Sequence, residues 1–227
     1  MKYCCDINVD NYSQRNNQYF RRNGESVANC HTTCNVTAMV EGLHLSGYKF
    51  PQGQFEQPED NLMDFIINDP VIDQRYKQIY PAMYNDYKTG KPNCYWPNEV
   101  HALLCEGTNR WMGTNCVRFL DNLKIWDYLK QNFTESTVSL PIVVSGCFPK
   151  SNGSSLNHIV LITGVEIIDD EVTKVKWDDP YGNTLKDFVG SGNDVWVSRK
   201  FAEANLKPLG SKNIKWAHVF KKAAPVI

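Results

Sequence analysis

The sequence predicts an α+β fold on three observations. Apolar residues in the first part of the chain recur at the three-to-four-residue spacing of a helical face. In the last third they gather into short β-branched and aromatic runs bounded by turn residues. The two kinds of segment are segregated along the chain, which favours separate helical and antiparallel layers over alternating β-α-β units. One domain over residues 1–227 is expected, with a helical lobe at about 30–135 packed on an antiparallel β lobe at about 138–222.

The first thirty residues are polar, rich in Asn and Arg, and read as surface loop. Thr33 to Ser46 reads as the first helix, because Val36, Met39, Val40 and Leu43 share one face. Thr32 or Thr33 is placed to cap its start and Gly47 to end it. Leu62, Phe65 and Ile66 mark a second helix, ended before Pro70 by the steric demand of proline. A third is expected from Ile72 to Tyr80. A fourth opens at Pro97-Asn98-Glu99 and carries Val100, Leu103 and Leu104. A fifth is outlined by Ile125, Trp126 and Leu129 and ends near Phe133. Strands follow at Leu140–Gly146 and His158–Val165. Asp169-Asp170 forms a turn, Val172–Trp177 returns, and Val195–Val197 and Lys215–Phe220 complete the sheet.

Composition bounds the partners. Apolar residues make up 42% of the chain, enough for a packed core and against disorder. A formal net charge of −1 gives no field for nucleic acid or an anionic membrane. No stretch approaches the roughly 18–20 apolar residues of a membrane span. The N-terminal stretch lacks the apolar core of a signal peptide, so synthesis in the cytosol is expected, with any release to a cell wall by another route. Without a secretory context the eight cysteines are expected to be mostly free thiols. Cys4, Cys5, Cys30 and Cys34 form an alternative zinc set, though their spacing is not that of a familiar zinc site. No metal or other cofactor is called for.

Cys34 stands apart from the other cysteines because it falls in the first turn of the clearest helix. The partial positive charge of a helix N-terminus favours a thiolate, and the unpaired N–H groups there can hold an oxyanion. A nucleophilic cysteine needs a base, and the base an orienting group. His31 is too near Cys34 in sequence, His44 rides the same helix, His101 lies on another helix and His218 on the last strand. His158 opens an apolar strand after a polar loop, where a side chain is both rigid and accessible. The returning strand ends in Trp177-Asp178-Asp179-Pro180-Tyr181-Gly182, a tight turn beside His158. Asp179 is the preferred orienting carboxylate, with Asp178 the competitor.

These stretches carry a family resemblance. Cys34-Asn-Val-Thr-Ala-Met-Val40 resembles the helix-start motif of the double-glycine-leader peptidases, cysteine peptidase family thirty-nine. Asn157-His-Ile-Val-Leu-Ile-Thr-Gly-Val165 is similar to their histidine strand, Trp177 to Gly182 to their Asp-Pro turn, and Ser13-Gln-Arg-Asn-Asn17 to their glutamine motif. Cys34-Asn35-Val36 stands where many members have Cys-Gly-Pro. The resemblance implies a papain-like fold with Cys34 as nucleophile, His158 as base, Asp179 as orienting group and Gln14 as oxyanion donor. It implies a cysteine peptidase or amidase that cleaves a peptide or amide bond in a peptide, protein or peptidoglycan substrate. Trp96, Trp111, Tyr181 and Trp196 are available to line a substrate groove. A transferase or deamidase on the same triad, and a non-catalytic or zinc-stabilised binding module, are the alternatives.

Overall fold

The computed structural model describes residues 1–5, 7, 9, 12–17, 33–85, 98–136, 138–206 and 214–224, with the backbone alone at 83, 98–100, 214 and 215. Helices and an antiparallel sheet are combined in it. The helices are α1 (Cys34–Leu45), α2 (Pro58–Asn68), α3 (Pro70–Ile79), α4 (Asn98–Met112), α5 (Ile125–Thr134) and α6 (Arg199–Asn205). The strands are β1 (Lys2–Cys4), β2 (Val117–Leu123), β3 (Ile142–Pro149), β4 (Ser155–Ile168), β5 (Glu171–Asp178), β6 (Val195–Ser198) and β7 (Ile214–Phe220). They form one seven-stranded sheet in the order β2-β7-β3-β4-β5-β6, and β1 pairs with β4 beyond the end of β3.

The sheet is buried on both faces. Val143, Ile159, Leu161, Trp216 and Phe220 pack against α1, α2 and α4. Their neighbours Ile142, Val144, Val160, Ile162, Ala217 and Val219 pack on the other face with Ile125, Leu129 and Phe133 of α5 and Ala202 of α6. Period-two geometry sends successive side chains to opposite faces, so a strand covered on both sides reads as an unbroken apolar run. The run from Ile159 to Val165 has this origin.

The layering departs from a helical half docked on a sheet half. The fifth expected helix, α5, lies across the sheet from α1 to α4. Two strands also fall in the helical half. β1 belongs to the segment read as surface loop, and β2 carries a mixed Val-Arg-Phe-Leu-Asp-Asn-Leu pattern. Each joins the sheet by backbone pairing, β1 on the free stretch of β4 and β2 on β7 at the sheet edge. Backbone pairing is blind to side-chain pattern, so periodicity does not reveal such strands. Pro70 does end α2, but it also opens α3: Asp69 Oδ1 accepts from the N–H groups of Val71 and Ile72, both at 3.0 Å, and caps the new helix.

Two local features fix the site's platform. The β4–β5 hairpin turns at Asp169 and Asp170, whose φ angles of 48° and 65° suit a tight two-residue hairpin loop. Gly42 of α1 lies so close to the sheet that a Cβ there would come within 2.3 Å of the Phe220 ring. No helix among the described residues is long and apolar enough to cross a membrane.

His218 of β7 is fully buried on the α4 side of the sheet, its ring centroid 5.7 Å from His101 and 5.8 Å from Phe119. Neither of its ring nitrogens has a hydrogen-bond partner among the described residues. Burial pushes its pKa down to about 3, from an ordinary value of 6.5. Below pH 6.5 the unfolded chain therefore takes up a proton that the folded chain refuses, and stability falls by about 1.4 kcal/mol per pH unit as pH drops toward the folded value. In urea unfolding, His218→Phe is expected to shrink the loss of stability between pH 7 and pH 5 by about 2 kcal/mol. An unchanged loss would mean that His218 is not held neutral.

Candidate active site

Cys34 is the first residue of α1. Thr33 stands at the N-cap position, but its side chain makes no capping bond, and Thr32, the other cap expected, lies outside the described residues. The Thr33 carbonyl instead accepts from the Thr37 N–H at 3.0 Å and the Thr37 hydroxyl at 2.8 Å. In the first turn Asn35 Oδ1 accepts from the Val36 N–H at 2.8 Å, and Cys34 sits in the field of the N-terminal N–H groups.

His158 is buried, its side chain only 2% exposed. The expectation of an accessible histidine at a strand start is therefore corrected. β4 begins at Ser155, earlier than the apolar run suggests, and His158 pairs with Gly146 of β3 inside the sheet. Three aromatic rings stand edge-on or steeply tilted around it: Phe148 at 6.2 Å, Tyr181 at 6.0 Å and Phe188 at 5.9 Å between centroids. Such contacts hold the imidazole plane.

His158 Nε2 lies 2.6 Å from Asp179 Oδ1, with the carboxylate fully buried. Nδ1 is thus the ring nitrogen left for the Cys34 sulfur, which is close enough to hydrogen-bond with the imidazole. Burial alone would lower the His158 pKa. The charge of Asp179, its hydrogen bond and the Cys34 sulfur outweigh burial and push the pKa up to about 10. The shift favours the imidazolium form.

The choice between the two aspartates is made by register. Asp178 is the last residue of β5, opposite Leu161, and its Oδ1 accepts from the Asp194 N–H at 2.6 Å. Asp179 lies one residue beyond, where the turn redirects its side chain to His158. Its Oδ1 also accepts from the Tyr181 N–H at 2.8 Å, and its own N–H donates to the Gly192 carbonyl at 3.0 Å. Gly192 presses so close that a Cβ would lie 2.1 Å from the Asp179 carbonyl oxygen, a distance that excludes any other residue.

Gln14 lies in a 3-10 turn (Gln14–Asn16) and is 2% exposed, which corrects the surface-loop reading of its segment. Its N–H donates to the Pro180 carbonyl at 3.0 Å, joining it to the turn that holds Asp179. Three residues on, Asn17 Nδ2 donates to Thr37 Oγ1 of α1 at 2.9 Å. The Gln14 segment is therefore strapped between the Asp179 turn and the Cys34 helix. Cys34, His158 and Asp179 are brought together, and Gln14 is held between the elements that carry them.

The remaining expectations divide. Of the aromatics, Tyr181 packs at the site, whereas Trp111 is core, stacked on Phe50 at 5.8 Å, and Trp196 lies under Lys2 at 4.7 Å. Cys4, Cys5, Cys34, Cys105, Cys116 and Cys147 are free thiols. Among the described residues no group of three or more His, Cys, Asp or Glu is placed to hold a metal. Cys30, His31, Cys94 and Trp96 lie outside the described residues.

Two residues at the site carry no signal in the sequence. Phe188 takes a left-handed φ of 63°, costly for a bulky side chain, and wedges its buried ring against His158. Glu41 lies fully buried on α1. Burial, then the nearby carboxylates of Asp178, Glu59 and Asp179, hold its pKa well above the usual carboxylate range. The helical pattern predicts a buried face for α1 but not that a carboxyl shares it.

Comparison with protein-family models gives no match, and comparison with curated proteins gives no relative. The class that fold and site define is thus a mixed helix-and-sheet chain in which a part-exposed cysteine at a helix start meets a buried His-Asp pair.

A raised Glu41 pKa means that the folded chain binds a proton the unfolded chain has released. Its contribution is present below the unfolded value and is lost as pH rises through the folded one. Glu41→Gln, which keeps the shape and removes the ionisation, is expected to match the parent near pH 5 and exceed it in stability at pH 8. Urea midpoints at the two pH values measure this. A variant less stable at both would show that the carboxylate form is the native one.

Proposed function

We propose that the chain is a papain-like cysteine hydrolase that cleaves a peptide or amide bond, like the double-glycine-leader peptidases it resembles. What supports this above all is one arrangement: a buried imidazole braced by Asp179 at 2.6 Å and hydrogen-bonded to a cysteine at a helix start. A buried thiol that only fills space has no need of a protonated, carboxylate-braced histidine beside it.

In this reading the Cys34 thiolate attacks the substrate carbonyl carbon. The oxyanion that forms is held by the Cys34 N–H and the Gln14 side-chain amide, each typically worth about 3 kcal/mol. His158 then gives its Nδ1 proton to the departing amine as the C–N bond breaks, leaving a thioester. A water molecule attacks the thioester, His158 takes the water's proton as general base, and the thiolate leaves with the acid product released. Asp179 keeps Nε2–H engaged, so that Nδ1 always meets the sulfur. The substrate class we assign is a peptide: the cross-linking peptides of bacterial cell walls, as for an endolysin, or a protein segment.

Three measurements test the proposal. Iodoacetamide at pH 6, read by peptide mass spectrometry, is expected to alkylate Cys34 at least tenfold faster than Cys4, the exposed thiol of β1. Asp179→Asn is expected to slow that alkylation and to cut hydrolysis of an activated ester by on the order of 10²–10⁴-fold. Equal alkylation of Cys34 and Cys4 would refute an activated nucleophile. Incubation with purified peptidoglycan is expected to release new amine groups in the parent and none in Cys34→Ala. Absence of release in both would remove the cell-wall substrate.

A further inference from the structure

A cleft of about 390 Å³ opens beside the turn that carries Asp179. Ser13 and Arg15, the neighbours of Gln14, line one side. Tyr181 from the Asp179 turn lines the next, and Ser191 and Asn193 from the glycine-rich return close it. The volume is that of a small ligand site. Tyr181 is a wall shared with the triad, since its ring stands 6.0 Å from the His158 ring.

Arg15 is fixed in this cleft. Its Nε donates to the Tyr181 carbonyl at 2.6 Å, one Nη2–H donates to the Phe188 carbonyl at 3.0 Å, and the guanidinium lies 4.3 Å over the Tyr181 ring. A guanidinium carries five N–H donors. Two are spent on these carbonyls, and the other three are on Nη1 and Nη2, whose shared edge is a fork that matches a carboxylate. Among the described residues no carboxylate pairs with Arg15, and the ion pairs go to other cations. The hydroxyls beside it can also donate: Ser13 Oγ accepts from the Arg15 N–H and Ser191 Oγ from the Asn193 N–H, and each keeps its O–H as a donor. The cleft therefore presents a positive charge, a pre-set fork and spare donors, with no anion of its own.

We propose that this cleft is the leaving-group subsite and that Arg15 binds a carboxylate on the departing amine, such as the free carboxylate of a released amino acid or short peptide. The inference rests on the hydrolase reading. In that reaction the amine takes its proton from His158, so it departs on the imidazole side, where Tyr181 joins His158 to the cleft. When the C–N bond breaks, the nitrogen leaves with the Nδ1 proton and its carboxylate stays on the Arg15 fork. The step also runs in reverse: a carboxylate-bearing amine docks on Arg15, gives a proton to His158, forms the C–N bond on the thioester carbon and releases the Cys34 thiolate.

The test has a binding arm and a transfer arm. In the binding arm, Cys34→Ala protein is titrated with glycylglycine or with its C-terminal amide, and the Arg15 Nε–H and Tyr181 amide signals are followed by NMR. Glycylglycine is expected to shift both signals saturably and at least tenfold more tightly than the amide. Arg15→Gln should bring the two ligands within twofold, and Arg15→Lys, which keeps the charge and loses the fork, should retain only a partial preference. In the transfer arm, p-nitrophenyl acetate acylates the parent enzyme and the two dipeptides compete with water for the acetyl group. The same tenfold preference is expected in the acetylated product. Equal response to the two ligands in either arm, with acylation intact, overturns the subsite. Failure of Cys34 to acylate at all sinks the hydrolase reading and the leaving-group role with it.

Discussion

The hydrogen bond between His158 and Asp179 is the interaction on which the rest of this structure is arranged. Both groups are withdrawn from water, and a buried charge left unpaired costs several kcal/mol. At 2.6 Å the pair offsets that cost, provided the carboxylate keeps its place. Asp179 is therefore tied down by the Tyr181 N–H at Oδ1, by the Gly192 carbonyl at its own N–H and by the register of the β4–β5 hairpin. Loss of any of these would loosen the carboxylate and leave a buried imidazole whose charge nothing balances.

Around that bond the fold accepts local strain. Asp187 and Phe188 both adopt left-handed backbone, with φ of 54° and 63°, at a cost on the order of 1–3 kcal/mol each. The conformation is held by Asp187, whose carboxylate accepts from the Ser151 N–H at 3.1 Å and hydroxyl at 2.7 Å. It is held also by the Phe188 N–H, which donates to the Asn183 carbonyl at 2.8 Å. The return is a phenyl ring set edge-on against His158, both of them buried. A sheet buried on both faces gives the rigidity to carry this, since neither layer can relax without opening the other.

The N-terminal segment closes the arrangement. Arg15 reaches across 166 residues of sequence to the Tyr181 carbonyl, and Asn17 reaches α1. One short turn thereby couples the hairpin that carries the acid–base pair to the helix that carries the sulfur. Glu41 and Asp178 lie in the buried region behind, and burial raises both their pKa values, that of Asp178 to about 6. The upward shift at Glu41 limits the negative charge competing with Asp179 for the imidazolium.

By itself the sequence determined what short-range physics governs. The helical face of Val36, Met39, Val40 and Leu43 placed Cys34 at a helix start, and Asp169-Asp170 forced the hairpin that returns toward His158. Periodicity and turn chemistry act over a few residues, so both are legible without a structure. Tertiary structure alone decided the rest: β1 and β2 in the sheet, α5 on the far face, the depth of His158, Asp179 over Asp178, the Phe188 wedge and the Arg15 cleft. Each depends on strand register or on packing between residues far apart in the chain. No local pattern encodes such contacts, because backbone pairing and close packing are satisfied by many sequences and selected only when the whole core assembles.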